Sequence, residues 1–306
     1  MKEDTELCFQ SAIGWLDGEL QSWDAIVDEV KQWKGDWIFR ALREQKECEL
    51  REIIKVRLAS SFDDACETGD VQSTDRWAYE AWMLREFKRA AHHYQVHLPE
   101  KNDLLEWLAL ARHYEMPSRL LDFTYSFYVA CYFAMSGKPK GTAGCILAVN
   151  LSELKEATER VLCKRLPFMK ESKRDLHNKD LFWKYAFCGR AGFVAPVNPG
   201  RKNERLIAQH GLFLCPADIS RTFIRNLECT FDENEKKNLR LIVIAASNRA
   251  EVISNLNKMN ISMATLYPEL AGFAQSLRDV VHLKDPLKDD RFRSELKIAI
   301  SKDPWF

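Results

Sequence analysis

The sequence predicts a single α+β domain, in which a mixed β-sheet is combined with a largely helical N-terminal half. Short apolar strand candidates are interspersed irregularly with helix patterns, which is typical of this fold class. The 306 residues contain neither an internal repeat nor a low-complexity linker that would divide the chain. The predicted domain covers residues 20–283, with an N-terminal extension at 1–19 and a charged C-terminal tail at 284–306.

Helix patterns dominate the first third of the chain. Apolar residues recur at steps of three and four between Trp23 and Trp33, which predicts a helix with one apolar face. A short strand is predicted at 36–40, directly after Gly35. Further helices are predicted at about 47–62, 75–93 and 101–114, the last of them capped by Asn102 or Asp103.

Strands and helices alternate irregularly after Pro117, which ends the third of these helices. An extended segment at 118–124 leads into a helix at 125–135, and the segment 155–190 is helical or irregular. Strands are predicted at 145–149, 191–197, 212–215, 222–227 and 239–245. Helices are predicted at about 247–258 and 268–283.

The composition excludes several classes of protein. Apolar residues make up 46% of the chain and charged residues 29%, as in soluble globular proteins. Lys plus Arg equals Asp plus Glu at 45 each, so the net charge does not indicate nucleic acid or membrane. The longest apolar runs are too short to span a bilayer, and the polar start lacks the apolar run of a secretory signal. We therefore expect a soluble, cytoplasmic protein without a membrane partner.

The spacing of the cysteines and histidines does not indicate a metal site. The nine cysteines are scattered without a C-x-x-C spacing, which favours reduced thiols in the core. His92, His93 and His97 resemble metal ligands, but Pro99 follows and no carboxylate or thiol lies at ligand spacing. Histidines also suit a helix C-terminus through the helix dipole alone.

A basic segment at 160–190 carries nine basic side chains against three acidic ones. A solvated surface is one interpretation of this segment. The other is a phosphate-binding surface, because Phe168, Phe182, Trp183 and Tyr185 are interleaved with the cations and could stack on bases.

The segment 107–134 is the richest in candidate functional groups. Alternation along a strand places Leu121 and Phe123 on one face, and Asp122 and Thr124 on the other. Thr124 can cap the next helix, whose N-terminal N–H groups would attract an anion. Arg119 and His113 lie a few residues upstream. The alternative is structural: Arg119 and Asp122 would form an internal ion pair, and Thr124 would be only a cap.

Two further polar positions complete the candidate site. Arg40 ends an aromatic-rich strand and could present its guanidinium to a cleft, or form an ordinary salt bridge. Arg205 and Gln209 are four residues apart and share a face if that turn is helical. Together they could bind an amide, a ribose or a phosphate, or form only a polar surface at the start of a strand.

With these residues in place, the sequence resembles the FRG-domain family, which is named for a Phe-Arg-Gly motif. Phe39-Arg40-Ala41 corresponds to that motif, and residues 112–124, RHYEMPSRLLDFT, correspond to the family pattern Q-H-x-G-x-P-T-R-L-L-D-W-T. Residues 80–88, 205–213 and 265–272 resemble its E…F-K, R-I-x-A-Q-x-G-L-F and L-F-P-D-L-x-G segments. Two departures place a side chain where the family has glycine: Ala41 and Glu115.

A second similarity, one of layout, is to ADP-ribosyltransferases. These have an arginine on an early strand, then a strand that ends in a hydroxyl residue before a helix, and then a late catalytic glutamate. Here Gln209 stands where the glutamate would be, with Glu204 nearby and Glu80 as a substitute. This similarity implies an ADP-ribosyltransferase-like fold and a candidate ADP-ribosyltransferase or NAD glycohydrolase, with NAD as the cofactor. The family's occurrence in bacteria and their mobile elements implies a role in defence or as a toxin.

The resemblances imply a role for each candidate residue. Arg40 and Arg119 would bind a pyrophosphate, Thr124 would fix a phosphate or ribose, and Asp122 would orient Arg119. His113 would form a hydrogen bond with the ligand. Gln209 or Glu80 would lie at the reacting centre, with Arg205 among the ligand-binding residues.

Two other hypotheses remain open beside an enzyme that acts on NAD or nucleotides. One is a non-catalytic module that binds a nucleotide, or nucleic acid through residues 160–190. The other is a structural network in which Arg119, Asp122 and Glu80 pair with one another.

Overall fold

A computed structural model describes residues 6–10, 20–42, 45–47, 53–137, 141–165, 180, 182–187, 191–231, 233–283 and 290–302. The strands are β1 (Glu6–Gln10), β2 (Trp37–Leu42), β3 (Gln45–Glu47), β4 (Ile53–Arg57), β5 (Leu121–Thr124), β6 (Gly144–Asn150), β7 (Val194–Val197), β8 (Gly211–Pro216) and β9 (Leu239–Ile244). The helices are α1 (Trp23–Gln32), α2 (Ser61–Thr68), α3 (Arg76–Ala90), α4 (Leu104–His113), α5 (Phe127–Met135), α6 (Leu151–Arg165), α7 (Glu204–Ala208), α8 (Phe223–Thr230), α9 (Arg249–Lys258), α10 (Met263–Leu266), α11 (Leu270–Leu283) and α12 (Asp290–Lys302).

Within this described part, the strands form two sheets. The larger sheet has six strands in the order β7-β8-β5-β2-β6-β9, and the smaller has three in the order β1-β4-β3. The single-domain α+β fold predicted from the sequence is confirmed. The ladders of both sheets are antiparallel where a mixed sheet was expected, and parallel pairing is confined to an isolated bridge between Leu20 and Ile244.

The larger sheet is nearly divided between its two central strands. β2 pairs with β6 over six residues, and β5 pairs with β8 over four. Between β2 and β5, however, the described ladder consists of the pair Phe39–Thr124. The strands therefore separate on one side of that pair, and the separation places a cavity inside the sheet.

The two faces of this sheet carry different cores. One face is covered by α6 and α8 around a continuous apolar cluster that includes Leu121 and Phe123. On the other face, one cluster packs around α4, β7 and β8, and a second packs around α5 and α9. Leu121 and Phe123 both belong to the first cluster, so they share one face of β5, as the predicted alternation requires.

Several helix ends follow directly from local sequence. The side chain of Ser22 accepts a hydrogen bond from the backbone at the start of α1, and Asp103 does so for α4. The helix predicted at 125–135 begins at Phe127, because Ser126, and not Thr124, supplies the side-chain cap. The short α7 is capped by Asn203.

Two predicted elements are wrong. The helix predicted at 47–62 is replaced by β3, β4 and the start of α2, because Ile53–Arg57 pairs with β1 from the predicted N-terminal extension. The strand predicted at 222–227 is helix α8, whose first turn is capped by Thr222. Phe223, Ile224 and Leu227 are all buried, a spacing that suits one face of a helix.

None of the helices in the described ranges combines the length and apolar character needed to cross a membrane.

Candidate functional site

A cavity of about 440 Å³ opens where β2 and β5 separate, and it is called here the interstrand cavity. Its apolar wall comes mainly from the sheet and from α5. The apolar lining residues are Phe39, Ala41, Leu42, Phe123, Ala130 and Phe133. The polar lining residues are Arg40, Arg112, Asp122, Thr124, Ser136, Arg205, Gln209 and Tyr267. Three guanidinium groups therefore face one carboxylate, which makes this lining an anion-attracting surface.

Arg40 lies where the ladder between β2 and β5 stops. Its Nη1 donates a hydrogen bond of 2.6 Å to the main-chain carbonyl of Asp122 on β5. Register places Asp122 two residues from the paired Thr124, so a longer ladder would use this carbonyl for main-chain pairing. Arg40 thus bridges the two halves of the sheet and lines the cavity between them.

The ion-pair partner of Asp122 is Arg112. The sequence had suggested Arg119 instead. Arg112 Nε and Nη2 both donate to Asp122 Oδ2, at 2.9 and 2.6 Å, and Arg112 Nη1 donates to Ser61 Oγ at 3.1 Å. Burial raises the pKa of Asp122, but Arg112 and Arg40 outweigh it, so the net pKa lies below the usual range. The carboxylate is therefore ionised at neutral pH, and its side chain is 28% exposed.

Arg205 and Gln209 enter the cavity from α7 and the residue after it. The guanidinium of Arg205 lies over the ring of Tyr267, 4.3 Å from the centroid, and its Nη2 donates to the Tyr267 hydroxyl at 2.9 Å. Gln209 Nε2 donates to the carbonyl of Leu266 at 3.1 Å. The predicted common face of Arg205 and Gln209 is thus present, and both residues line the cavity.

Thr124 connects β5 to the part of the cavity wall that contains Arg205 and Gln209. Its hydroxyl donates to the carbonyl of Gln209 at 2.7 Å and accepts from the amide of Ser126 at 3.0 Å. These bonds give the hydroxyl a structural function. The start of α5 does not belong to the described cavity lining, which instead includes Ala130 and Phe133 farther along that helix. The N-terminus of α5, where the sequence suggested an anion site, is therefore not part of the cavity lining.

His113 lies behind the cavity wall. It lines a side chamber of about 10 Å³, together with Arg112, Asp122, Arg205 and Gln209. This volume is about that of one water molecule. His113 Nδ1 is buried without a hydrogen-bond partner, and Nε2 lies 3.7 Å from Glu269 Oε1. Burial lowers the pKa of His113, opposed by Glu269 and assisted by Arg205, which favours the neutral ring.

Glu80 and Arg119 are not among the residues that line the interstrand cavity. The sequence had suggested that Arg119 binds a pyrophosphate and that Glu80 lies at the reacting centre. They form a two-contact ion pair with each other, through Arg119 Nε and Nη2, and each residue is only 1% exposed. Arg119 Nη1 also donates to the carbonyl of Pro216 at 3.3 Å. This pair is part of the interior, as the structural hypothesis had proposed for these two residues.

Arg112 and Tyr267, which form hydrogen bonds with candidate residues at the cavity, were not selected as site residues from the sequence. Arg112 was noted only as a departure from the family's glutamine, and Tyr267 only as part of a closing motif. Arg112 lies ten residues before Asp122, and Tyr267 lies 62 residues after Arg205. Their position in motifs was the available signal, since sequence spacing alone does not indicate either contact.

The basic segment at 160–190 is described only in part. Residues 166–179, 181 and 188–190, which include Phe168, lie outside the described residues. Phe182–Phe187 forms a π-helical turn, and Phe182 is buried whereas Trp183 is 51% exposed. Of the four aromatic residues predicted to stack on bases, the side chains of Phe168 and Tyr185 lie outside the described ones, and Trp183 is the exposed member of the other two.

Comparison with protein families identifies an FRG domain at residues 36–142. This match agrees with the resemblance to the FRG-domain family that the sequence motifs indicated. The matched span includes Phe39-Arg40-Ala41 and the motif that carries Arg112 and Asp122, both of which line the interstrand cavity. No curated protein and no solved structure matches the chain.

Proposed function

We propose that the interstrand cavity binds a nucleotide through its diphosphate, and that NAD is the nucleotide. The observation that carries this proposal is the convergence of Arg40, Arg112 and Arg205 on one cavity that has a single lining carboxylate. Guanidinium groups match phosphate oxygens in charge and in planar geometry. A cavity of about 440 Å³ also lies within the size range of small-molecule sites.

Arg205 is the principal phosphate ligand in this proposal. Within the described residues, its hydrogen bond is made by Nη2 to Tyr267, which leaves Nε and Nη1 for a ligand. Arg112 contributes charge mainly, because its three nitrogens already donate to Asp122 and Ser61. Arg40 provides a second guanidinium at the opposite wall, next to β5.

The apolar wall supplies surfaces for the planar parts of a nucleotide. Phe39 and Phe133 lie on this wall, and the Phe133 ring packs edge-to-face against Tyr267 at 6.1 Å. A nucleobase or nicotinamide ring placed between the wall and the guanidinium groups would bury apolar area while its phosphates stay with the cations. Ala41 carries a methyl group into this wall where the family has glycine, and so it narrows the space.

Asp122 is the carboxylate that could assist chemistry at the ribose. In cleavage of NAD, the bond between ribose C1′ and the nicotinamide nitrogen breaks, and its electron pair leaves with nicotinamide. Positive charge develops on the ribose, and an ionised carboxylate stabilises that charge. Water or an acceptor then bonds to C1′ and loses a proton. We assign this function to Asp122 because Glu80 lies in the buried pair with Arg119.

A non-catalytic binding module is the second candidate. Two observations favour it, because both carboxylates already have a partner in the protein. Glu80 pairs with the buried Arg119, and Asp122 Oδ2 accepts hydrogen bonds from Arg112. Both candidates predict binding in the same cavity. They differ in whether nicotinamide is released.

Calorimetric titration of NAD, ADP-ribose and ATP into the purified chain tests the binding proposal. We expect Arg205→Ala to weaken binding about 10- to 100-fold, since a charge-assisted hydrogen bond contributes about 1.5–3 kcal/mol. Arg201→Ala is the matched control, because Arg201 is an exposed arginine outside the cavity lining. Absence of binding by all three nucleotides, or equal binding by Arg205→Ala and the wild type, would contradict the proposal.

Chromatography of the reaction mixture then separates the two candidates. Release of nicotinamide from NAD that is abolished by Asp122→Asn supports the enzyme. Binding without any release supports the non-catalytic module.

A further inference from the structure

A second cavity, of about 500 Å³, lies between α3, α4 and the turn at Phe182–Phe187, and is called here the aromatic groove. Its lining residues are Ala81, Leu84, Arg85, Lys88, Arg89, Leu98, Pro99, Lys101, Leu104, Trp107, Trp183 and Phe187. None of these described residues lines the interstrand cavity. Its ligand would therefore bind independently of the nucleotide proposed above.

The groove contains a stack of planar groups that begins in the protein interior. The buried guanidinium of Arg119 lies 4.6 Å from the centroid of the Phe187 ring. Trp183 stacks on Phe187, with centroids 5.1 Å apart and ring planes inclined by 20°. Phe187 therefore contacts both the buried guanidinium of Arg119 and the indole of Trp183.

Trp183 is the outer member of this stack and is 51% exposed. Its inner neighbours are fixed, since Arg119 is held by the two contacts to Glu80. A half-exposed indole on a rigid support is an open stacking surface for another planar ring. The buried Glu80–Arg119 pair thus supports a surface feature on this side of the molecule.

The rim of the groove is cationic. Arg85, Lys88, Arg89 and Lys101 all line it, and no acidic residue is among the described lining. Glu86 pairs with both Arg85 and Arg89, so it offsets part of this charge. The remaining excess is positive, and it surrounds an apolar floor.

Lys88 occupies a particular place at this rim. Its Nζ lies 5.2 Å from the centroid of the Trp107 ring and donates to the carbonyl of Lys101 at 3.4 Å. The ammonium is thereby held at the edge of the floor, while Arg85 and Arg89 extend from the exposed side of α3. An anion bound along α3 would meet these three cations in sequence.

We propose that the aromatic groove binds a short segment of single-stranded nucleic acid, with one base on Trp183 and the neighbouring phosphates on the cationic rim formed by Arg85, Lys88, Arg89 and Lys101. Stacking surfaces beside cations are the two elements that such binding requires. The charge complementarity favours a polyanion, and the stacked indole favours one that carries planar rings. An acidic peptide would use the cations but not the stack.

Fluorescence anisotropy with labelled 12-nucleotide oligouridine and oligothymidine, titrated with the full chain, tests this proposal. We expect Trp183→Ala to raise the Kd about 5- to 100-fold, from the loss of one stacked base. Trp77→Ala is the matched control, because Trp77 is an exposed tryptophan at the start of α3 outside the groove lining. Thermal melting of both variants verifies that they remain folded.

The salt dependence of the Kd tests the cationic rim. Replacing Arg85 and Arg89 together by alanine should reduce the slope of log Kd against log salt concentration by about 1.4, or about 0.7 for each lost phosphate contact. The same replacement of Arg291 and Arg293 on α12 is the control, since both are exposed arginines with ion-pair partners. Comparison of the two oligonucleotides shows whether RNA or DNA binds more tightly.

Three results would overturn the proposal. The first is no binding of either oligonucleotide in 50 mM salt. The second is an equal Kd for Trp183→Ala, Trp77→Ala and the wild type. The third is tighter binding of oligoglutamate than of both oligonucleotides. Retention of oligonucleotide binding by Arg205→Ala separates this groove from the nucleotide cavity, so either proposal can fail while the other stands.

Discussion

Arg40 Nη1 donates a hydrogen bond of 2.6 Å to the main-chain carbonyl of Asp122, across the gap between β2 and β5. A side chain therefore takes the place of a main-chain donor at the centre of the sheet. The same guanidinium lines the interstrand cavity. Arg40 accordingly combines a structural contact with a position at the proposed nucleotide site.

The first prediction concerns this contact. Arg40→Met keeps much of the side-chain length but removes the donor, so the Asp122 carbonyl loses its charged partner. We expect the free energy of unfolding to fall by about 1–3 kcal/mol. Urea denaturation measures this change. Arg40→Lys should restore part of it, and an Arg40→Met variant as stable as the wild type would show that the bond contributes nothing net.

The second prediction concerns Glu80 and Arg119. Glu80→Gln leaves the buried Arg119 guanidinium without its counter-charge, so we expect a loss of about 3–5 kcal/mol in the free energy of unfolding. Glu86→Gln is the matched control on the same helix, because Glu86 pairs with Arg89 at the surface and should cost at most about 1 kcal/mol. Chemical denaturation compares the two variants, and similar losses would argue against a special role for the buried pair.

The third prediction concerns the end of α4. Glu115 has φ of 62° and follows a helix end in which Met116 N donates to Ala111 O and Glu115 N donates to Arg112 O. Glycine is favoured at this position of such a helix end. We expect Glu115→Gly to raise the free energy of unfolding by about 1 kcal/mol, because it relieves the strain of left-handed backbone. Glu115→Ala keeps the strain and should give no such gain. Urea denaturation of both variants and the wild type measures the free energy of unfolding.

The fourth prediction concerns pH. Burial lowers the pKa of His113 from its ordinary value of 6.5, so the folded state favours the neutral ring. The contribution of this group to stability is present above pH 6.5 and is lost as the pH falls through the lowered pKa of the folded state. We expect His113→Phe to show a shallower loss of stability below pH 6.5. Urea denaturation across this range measures the slope, and replacement of the exposed His92 by phenylalanine is the control.

The fifth prediction concerns Gly272 on α11. A Cβ atom at this position would overlap the carbonyl oxygen and Cβ of Tyr267. Gly272→Ala should therefore displace Tyr267, lower the melting temperature and weaken nucleotide binding at the cavity. Ala271→Ser, at an exposed neighbouring position, is the control for both measurements. Unchanged binding by Gly272→Ala would show that Tyr267 does not contribute to the site.

Local patterns in the sequence predicted most elements of the fold. The apolar spacing in α1, the Asp103 cap of α4 and the alternation along β5 are properties of short segments, and the structure contains all three. The error at β4 has a different origin. Its strand conformation depends on pairing with β1, more than 40 residues away, and no local pattern indicates that partner.

Part of the candidate site was also predictable, because several of its residues lie in local sequence patterns. Arg40, Asp122, Arg205 and Gln209 were selected from the sequence, and the structure brings them to one cavity. The assignment of ion-pair partners was less successful. Arg119 and Asp122 lie three residues apart, but they do not pair with each other. Arg119 pairs with Glu80 and Asp122 pairs with Arg112, because Asp122 lies on β5 and Arg119 lies in the turn before it.

The narrow junction at Phe39 and Thr124 has a mechanical consequence. It joins two otherwise well-paired blocks, β7-β8-β5 and β2-β6-β9, through one residue pair of described ladder. A ligand that contacts Arg40 on one block and Arg205 beside the other would hold the two blocks together. Amide hydrogens of both blocks should then exchange with deuterium more slowly, and in concert, once that molecule is bound.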